Sequence, residues 1–448
     1  MFDRYYRNRL AADLNLWRDR GWVTPEAAAA ILASVPAPGR TLTLSGIIAT
    51  LGGLLLGAAA IAFVAANWEG MAPFLRFLLL LAALAAAYGA AAWLKHRDHP
   101  ALSDAMVLVA CLVFAAAIAL VGQAYNLAGE FRDAVLFWTI GCFGAALLTR
   151  ATSATIMSLV GVSVWAFLTT TELNTVPHWA SLALLLAVGL FALWLDKTLA
   201  RAFTAALVFW VGLTLITLTE AVDWPYIGGL ALSAAVALFF WSLGAFLAGL
   251  AGSEPWPERL RALGRALAWP SLVGLLLALF MMQFLFDETR AEALGWLLPA
   301  IIAALAAGLV ALLAVKRGML SLAHSVIGLM IVLCAILFAY WQTTNGVPAG
   351  NDATLSEPGL WSRLVIAFII LCASLWLVAL AQTASGQYVH GLGLIAFGAE
   401  VLYVYIETLG TLIDTALGFL IGGILLIALS FALLRLDRWL RSTRSLQP

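Results

Sequence analysis

The sequence is poor in charge. Only 11% of its 448 residues are Asp, Glu, Lys or Arg, whereas 64% are hydrophobic and the mean hydropathy is +1.00. Soluble domains are about half apolar and about a quarter charged, so this composition excludes a soluble globular protein. The charges are also balanced, with 24 basic and 24 acidic residues. No basic excess is available to neutralise nucleic-acid phosphates, and we expect no nucleic-acid partner.

Groups that would indicate a metal or a cofactor are equally scarce. The four cysteines, which lie in long apolar stretches without Cys-x-x-Cys spacing, are Cys111, Cys142, Cys334 and Cys372. They are typical of small buried side chains. Neither His324 nor His390 has a partner at metal-ligand spacing, the glycine-rich stretches follow no predicted strand, and no Ser/His/Asp arrangement is credible from spacing alone. We therefore expect no metal, no cofactor and no catalytic residue that the sequence can identify.

Long apolar windows fill most of the chain. Fourteen of them have roughly the 17 to 26 residues that a helix needs to cross about 30 Å of hydrocarbon. The sequence thus predicts an all-α fold, a polytopic transmembrane helix bundle of about 14 spans. The windows cover approximately residues 43–66, 73–94, 102–122, 133–149, 152–171, 178–195, 201–220, 225–250, 266–286, 293–315, 318–341, 361–383, 387–407 and 411–434.

Basic residues indicate the orientation of these spans, because Lys and Arg concentrate on the cytoplasmic side of bacterial membranes. With the N-terminus inside, 20 of the 24 basic residues fall in cytoplasmic segments. The four that fall in or beside outer segments are Arg76, Arg132, Arg290 and Arg363. This partition predicts that both termini lie in the cytoplasm. The charged first forty residues contain no short apolar run with a cleavage site, so no removable signal peptide is expected.

The N-terminal forty residues predict a short cytoplasmic helical hairpin. Its first helix is indicated by apolar residues at helical spacing, namely Tyr6, Leu10, Leu14 and Trp17. Gly21 ends that helix, and Thr24, Pro25 and Glu26 supply an N-cap, a first-turn proline and a first-turn acid for a second helix over about 25–35. Two interpretations are open: the hairpin packs on loops or lies in the lipid interface, or it is a docking or self-association module for a protein partner.

The predicted organisation has three parts: the hairpin at 1–40, the bundle at 41–436 and a cytoplasmic tail at 437–448. No soluble domain of catalytic size lies between spans. The segment from Ser253 to Arg265 contains Pro255 and Pro257 and predicts an inner connector, or alternatively a link between two bundles.

Two polar motifs close outward-running spans and are therefore expected on the same outer face. They are Asn67-Trp68-Glu69 after the first span and Gln123-Ala124-Tyr125-Asn126 after the third, with Glu130 close by. Amides and aromatic rings together suit a polar headgroup or a sugar, so Asn67, Trp68, Glu69, Gln123, Tyr125, Asn126 and Glu130 form a candidate ligand-binding cluster. The alternative is that these side chains are interfacial anchors and satisfy helix ends.

A second candidate site lies inside a span. Glu400 is the only acid well within a predicted span, and Tyr403 and Glu407 follow it at i+3 and i+7, on one helical stripe. Ionisable residues in spans usually face the bundle interior, because exposure to lipid is costly. The stripe predicts either a proton or cation relay or a structural acid paired with Arg363 or Arg76.

The chain resembles the bacterial membrane-protein family known as domain of unknown function 2157. The resemblance rests on the hairpin with Trp17 and residues 21–26, on Ala66-Asn67-Trp68-Glu69, on Gly122-Gln123-Ala124-Tyr125-Asn126, and on the run from Glu400 to Gly423. It implies a multi-spanning protein of the bacterial inner membrane, in contact with membrane lipid. It implies no activity.

Three functions remain open from the sequence. The first is transport of a small solute or flipping of a lipid-linked molecule; the second is an accessory or scaffold subunit; the third is a membrane-embedded enzyme that acts on lipid-linked sugars at the outer face, with Glu69 as base. A dry core around Glu400 would favour a scaffold, a polar cavity reaching it would favour transport, and a lateral opening beside Glu69 would favour the enzyme.

Overall fold

The computed structural model describes residues 13–18, 20–34, 72–124, 129–173, 178–252, 255–284, 294–345, 357–382 and 386–409, with single residues at 10, 52, 55 and 176. All regular structure in these ranges is helical. The helices are α1 (Pro25–Ser34), α2 (Pro73–His96), α3 (Pro100–Ala124), α4 (Phe131–Thr149), α5 (Thr152–Leu173), α6 (Trp179–Leu195), α7 (Ala200–Ala221), α8 (Tyr226–Ala248), α9 (Pro255–Met281), α10 (Leu297–Lys316), α11 (Leu322–Asn345), α12 (Glu357–Leu380) and α13 (Gly386–Leu409).

Twelve of these helices, α2 to α13, coincide with predicted apolar windows. Within the described ranges, ten helices are long and apolar enough to cross a membrane, and two shorter apolar ones run over Trp179–Leu195 and Tyr388–Val404. The predicted windows at 43–66 and 411–434 lie outside the described residues. The all-helical, multi-pass prediction is therefore confirmed, and the count of fourteen spans stays a prediction.

The helix α10 shows how the lipid-facing helices are built. Its alanines face inward, since Ala300, Ala304, Ala307, Ala311 and Ala314 are each at most 4% exposed. Its leucines face outward, with Leu305 66% and Leu309 62% exposed. A soluble helix would bury the larger apolar side chains, whereas a helix in lipid gains from small residues at its contacts with neighbouring helices.

The start of α9 differs from the predicted connector. The structure continues the helix back to Pro255, so most of the segment from Ser253 to Arg265 is helical. Two effects explain this difference. Prolines are tolerated in the first turn of a helix because those N–H groups have no intrahelical acceptor. Leu263 and Leu267 also lie one turn apart and are buried, at 9% and 1% exposure, which packs the extension against the protein.

Polar contacts fix this extension to neighbouring segments. The Arg261 guanidinium donates to the carbonyls of Leu250 and Gly252, at 2.9 and 3.0 Å. The Lys197 ammonium donates to the Glu258 carboxylate at 2.6 Å. These contacts attach the first turns of α9 to the segment after α8 and to Lys197, just before α7.

The short break between α4 and α5 is formed by a single left-handed residue. Arg150 has φ +54°, which ends α4, and α5 begins at Thr152. Non-glycine residues adopt this conformation infrequently. The predicted break at Arg150-Ala151 is thereby confirmed.

The N-terminal segment contains the predicted second helix. Gly21 has φ +72°, and the Trp22 N–H donates to the Trp17 carbonyl at 2.9 Å, an arrangement that terminates a helix. The Thr24 Oγ1 accepts from the Ala27 N–H at 3.3 Å and caps α1, where Pro25 is the first residue. Residues 13–18 are helical, and the rest of the predicted first helix lies largely outside the described residues.

Two compact units divide the chain. The first comprises residues 1–129 and 144–154. Within it, α2 packs against α3, and the Ser103 hydroxyl donates to the Ala91 carbonyl at 2.8 Å. The Asp104 carboxylate accepts from the Ser153 N–H at 3.2 Å. These side-chain contacts join the end of α2 to the start of α3, and the start of α3 to the start of α5.

The second unit comprises residues 130–143 and 155–448. Its largest core is built around α8, which packs against α7, α9, α10 and α11. A close approach between α8 and α9 occurs where Gly244 faces Gly264: a Cβ built on Gly244 would lie 2.8 Å from the Gly264 carbonyl oxygen. The core continues through α12 and α13, the helix that carries Glu400.

Candidate functional site

Glu400 lies in α13 and is completely buried, with 0% of its surface exposed. Among the described residues it is the only Asp, Glu, Lys or Arg that is buried. A lone ionised carboxylate is costly in an apolar interior unless a proton, a cation or several donors neutralise it. The partners of this carboxylate therefore decide what the site can do.

One partner is Gln283, in the turn that follows α9. The Gln283 side-chain amide donates from Nε2 to Glu400 Oε2 at 3.2 Å, and Gln283 is itself only 1% exposed. The remaining oxygens, Glu400 Oε1 and Gln283 Oε1, are both buried without a hydrogen-bonding partner among the described residues. A neutral amide satisfies one carboxylate oxygen and leaves the net charge unchanged.

Three aromatic rings stand beside this pair. The Phe284 ring contacts the Tyr403 ring at 5.2 Å between centroids, and the Phe280 ring contacts Phe284 at 5.3 Å and Tyr403 at 6.4 Å. All three contacts are edge-to-face, which is a favourable geometry for aromatic pairs. These rings join the end of α9 to α13 one turn beyond Glu400.

Arg363 contributes from α12. Its guanidinium lies close enough to the Tyr403 phenol to interact with it electrostatically. Arg363 was one of two arginines expected from the sequence as a structural partner of Glu400. Among the described residues, the Glu400 carboxylate is hydrogen-bonded to the neutral Gln283 instead.

The other residues of the predicted stripe are only partly described. Tyr403 is half-buried and makes the ring contacts given above. Glu407 lies on the same helix, and its side chain is outside the described residues. Helix α13 therefore carries all three positions of the stripe, and their joint role stays a prediction.

Most of the predicted outer-face cluster lies outside the described residues. This holds for Asn67, Trp68, Glu69, Tyr125 and Asn126; Gln123 lies in the last turn of α3 with its side chain not described. Whether the two motifs meet, and whether a lateral opening exists beside Glu69, therefore stay predictions.

Glu130, the remaining member of that cluster, belongs to an ion-pair group in the second unit. Its carboxylate pairs with Arg132, whose guanidinium also lies 3.7 Å from Asp133 Oδ1 and 3.5 Å from Glu172 Oε2. Three carboxylates surround one guanidinium that is 18% exposed. The contacts join the start of α4 to the end of α5.

The sequence alone did not indicate Gln283 or Gln342. Gln342 lies in α11, is 1% exposed, and has neither amide atom hydrogen-bonded among the described residues. The sequence feature that could have indicated them is an amide side chain near the end of an apolar window, as in Met281-Met282-Gln283-Phe284. That signal is weak because amides also occur at interfacial helix ends.

The surface of the second unit carries open apolar grooves. One groove of about 670 Å³ lies between α11 and α12 and is lined by residues such as Leu337, Trp341 and Phe368. Leu337 and Phe368 are 64% and 67% exposed. Exposed apolar surface of this extent is compatible with lipid rather than with water.

The helices and their exposed apolar surface define a multi-pass helical membrane protein. Residues 15–155 match the model of the family described as predicted membrane protein, domain of unknown function 2157, which confirms the resemblance over that range. Three of the four places that carried the resemblance lie inside the matched residues, and the run from Glu400 lies beyond them. No curated protein and no solved structure matches the chain.

Proposed function

We propose that the protein transports a small solute or a lipid-linked molecule across the bacterial inner membrane, with Glu400 as the carboxyl that couples transport to a proton or a cation. The observation that carries this proposal is that the Glu400 carboxylate is hydrogen-bonded to the neutral Gln283 amide, and to no cation, among the described residues. A carboxyl retained for structure alone is usually paired with a cation or fully hydrogen-bonded. In the described part of the chain, Glu400 instead keeps one oxygen without a hydrogen-bonding partner.

The proposed topology places this site in the outer half of the membrane. About fourteen spans with both termini in the cytoplasm put the C-terminal ends of α9 and α13 toward the outer face. The outer-face cluster of Asn67, Trp68, Glu69, Gln123, Tyr125, Asn126 and Glu130 is then the proposed place where a polar headgroup or a sugar first binds.

Reconstituted transport tests the proposal. The full-length protein is placed in proteoliposomes, and uptake of radiolabelled sugars, amino acids and ions is followed with an imposed proton or sodium gradient. Translocation of a fluorescent lipid is measured on the same vesicles by quenching with an impermeant reductant. We expect gradient-dependent movement of at least one substrate class above protein-free liposomes. Equal rates in both vesicle types for every substrate class and for the lipid would contradict the proposal.

A scaffold or accessory role is the second candidate, and two observations favour it. The environment of Glu400 is closed to solvent. The N-terminal segment also exposes large apolar residues, with Trp22 66% and Leu16 51% exposed, which suits contact with a partner protein. An outer-face enzyme rests on Glu69, which the structure does not describe, and it ranks third.

A further inference from the structure

Two buried oxygens, Glu400 Oε1 and Gln283 Oε1, have no hydrogen-bonding partner among the residues that the structure describes. Glu400 Oε1 and Gln283 Oε1 are both acceptors, and both belong to side chains that are at most 1% exposed. Buried polar atoms in proteins nearly always have a partner. The group that would satisfy these oxygens must therefore be a donor or a cation.

The end of α9 adds a second negative potential at the same place. After Met281 the chain makes tight turns, in which the Met282 N–H donates to the Ala278 carbonyl at 3.2 Å and the Phe284 N–H donates to the Met281 carbonyl at 3.1 Å. Gln283 lies in this turn, at the negative end of the helix dipole. A carboxylate and a helix C-terminus together favour positive charge, and helix ends of this kind coordinate sodium ions or protons in secondary transporters.

The charge of the site and the chemical type of its ligand atoms determine which ion it can bind. Among the described residues, the pair offers one carboxylate oxygen and one neutral amide oxygen without partners, which suits a single positive charge. Oxygen donors favour alkali and alkaline-earth ions over transition metals. No group of three or more His, Cys, Asp or Glu side chains that could hold a metal ion occurs in the described part of the chain. The edge-to-face contacts among Phe280, Phe284 and Tyr403 join the end of α9, next to Gln283, to α13 one turn beyond Glu400.

We propose that Glu400 binds a monovalent alkali cation, sodium in the first instance, through Oε1, and that Gln283 is a positioning residue that holds Oε2. The hydrogen bond at 3.2 Å fixes the carboxylate so that its other oxygen remains available. The role of this ion as the coupling ion rests on the proposed transport function, whereas its binding does not require transport. Experiments can therefore contradict sodium binding without contradicting transport, and the reverse.

Ion binding is tested on the purified full-length protein in detergent, at constant pH and constant ionic strength. Choline chloride is replaced stepwise by NaCl, KCl or LiCl, and both the thermal unfolding midpoint and the binding of radioactive ²²Na⁺ are measured. A ligand that binds the folded state raises the midpoint with its concentration. We expect a saturable rise with NaCl and saturable ²²Na⁺ binding.

Variants assign the effect to the pair. We expect Glu400→Gln to abolish ²²Na⁺ binding and Gln283→Leu to weaken it about tenfold or more, since a hydrogen bond to a charged group is lost. The Gln283→Leu change should also alter the ratio of Na⁺ to K⁺ affinity, which a purely structural role would leave unchanged. Gln342→Leu is the matched control, because Gln342 is the second buried glutamine and lies in a different helix, α11. The Gln342→Leu variant should bind ²²Na⁺ like the unaltered protein.

Several outcomes would overturn the inference. An unaltered protein whose midpoint is the same in sodium and choline, and which binds no ²²Na⁺, contradicts it whether or not the variants fold. Retained ²²Na⁺ binding in Glu400→Gln contradicts the assignment to this carboxylate. If uptake in proteoliposomes follows a proton gradient while ²²Na⁺ does not bind, the metal-ion site is wrong and the transport function stands.

Discussion

The Gln283 amide and the Glu400 carboxylate meet at 3.2 Å although 117 positions separate them in the chain. The contact joins the turn after α9 to the middle of α13, and both side chains are buried. It is a polar contact between distant segments of a largely apolar core. Removing the donor or the acceptor of this hydrogen bond should therefore lower stability more than removing a buried polar group that has no partner.

The two buried glutamines give a matched pair for stability. Gln283→Leu leaves Glu400 Oε2 without its donor, and we expect the unfolding free energy in detergent to fall by about 1–3 kcal/mol. Gln342→Leu removes an amide whose two polar atoms have no partner in the described part of the chain, so it should be neutral or stabilising. Thermal unfolding of both variants measures the difference, and a larger loss for Gln342→Leu would reverse our assignment of the paired amide.

Two glycines of α9 test the close packing of α8 against α9. A Cβ on Gly264 would lie 2.7 Å from the Ala248 nitrogen, whereas a Cβ on Gly274 would meet only Ala237 Cβ at 3.9 Å. We expect Gly264→Ala to destabilise the protein by about 1–3 kcal/mol through overpacking. Gly274→Ala should be neutral or stabilising by up to about 1 kcal/mol, since alanine is the better helix former. Equal melting temperatures for the two variants would show that α8 and α9 are not in close contact there.

Two exposed turns test the orientation of the spans. Asp98 and Asp223 both occupy left-handed turns, with φ of +58° and +54°, and both are exposed. In a background without the four native cysteines, we expect Asp223→Cys to react with an impermeant thiol reagent added to intact cells. Asp98→Cys should react only after the membrane is permeabilised. Labelling of both positions from the same side would contradict the predicted topology.

The cap of α1 gives a local prediction. Thr24→Ala removes the acceptor of the Ala27 N–H and should lower the stability of α1 by about 1 kcal/mol. Amide hydrogen exchange should become faster over residues 26–30, with the rest of the chain unchanged. Thr24→Ser retains the hydroxyl and should preserve the original exchange rate; acceleration in both variants would rule out the cap as the cause.

The sequence predicted most of the helices because hydropathy alone determines where a chain can cross lipid. It also predicted the cap at Thr24, the helix end at Gly21 and the burial of Glu400, since each follows from local chemistry. It did not predict that α9 starts at Pro255, because hydropathy does not register an amphipathic extension. It did not identify Gln283 as the partner of Glu400, because a contact between distant helices depends on packing that neither local sequence encodes.

The role of Glu400 in transport is tested most directly by measuring both thermal stability and ion-gradient-dependent flux in the Glu400→Gln variant. This change nearly preserves volume and hydrogen-bonding capacity, so the variant should insert and unfold close to the temperature of the unaltered protein. In proteoliposomes it should lose the ion-gradient-dependent flux that the unaltered protein supports, while Gln342→Leu keeps that flux. A Glu400→Gln protein with unchanged gradient-driven flux would contradict the central role that we assign to this carboxylate.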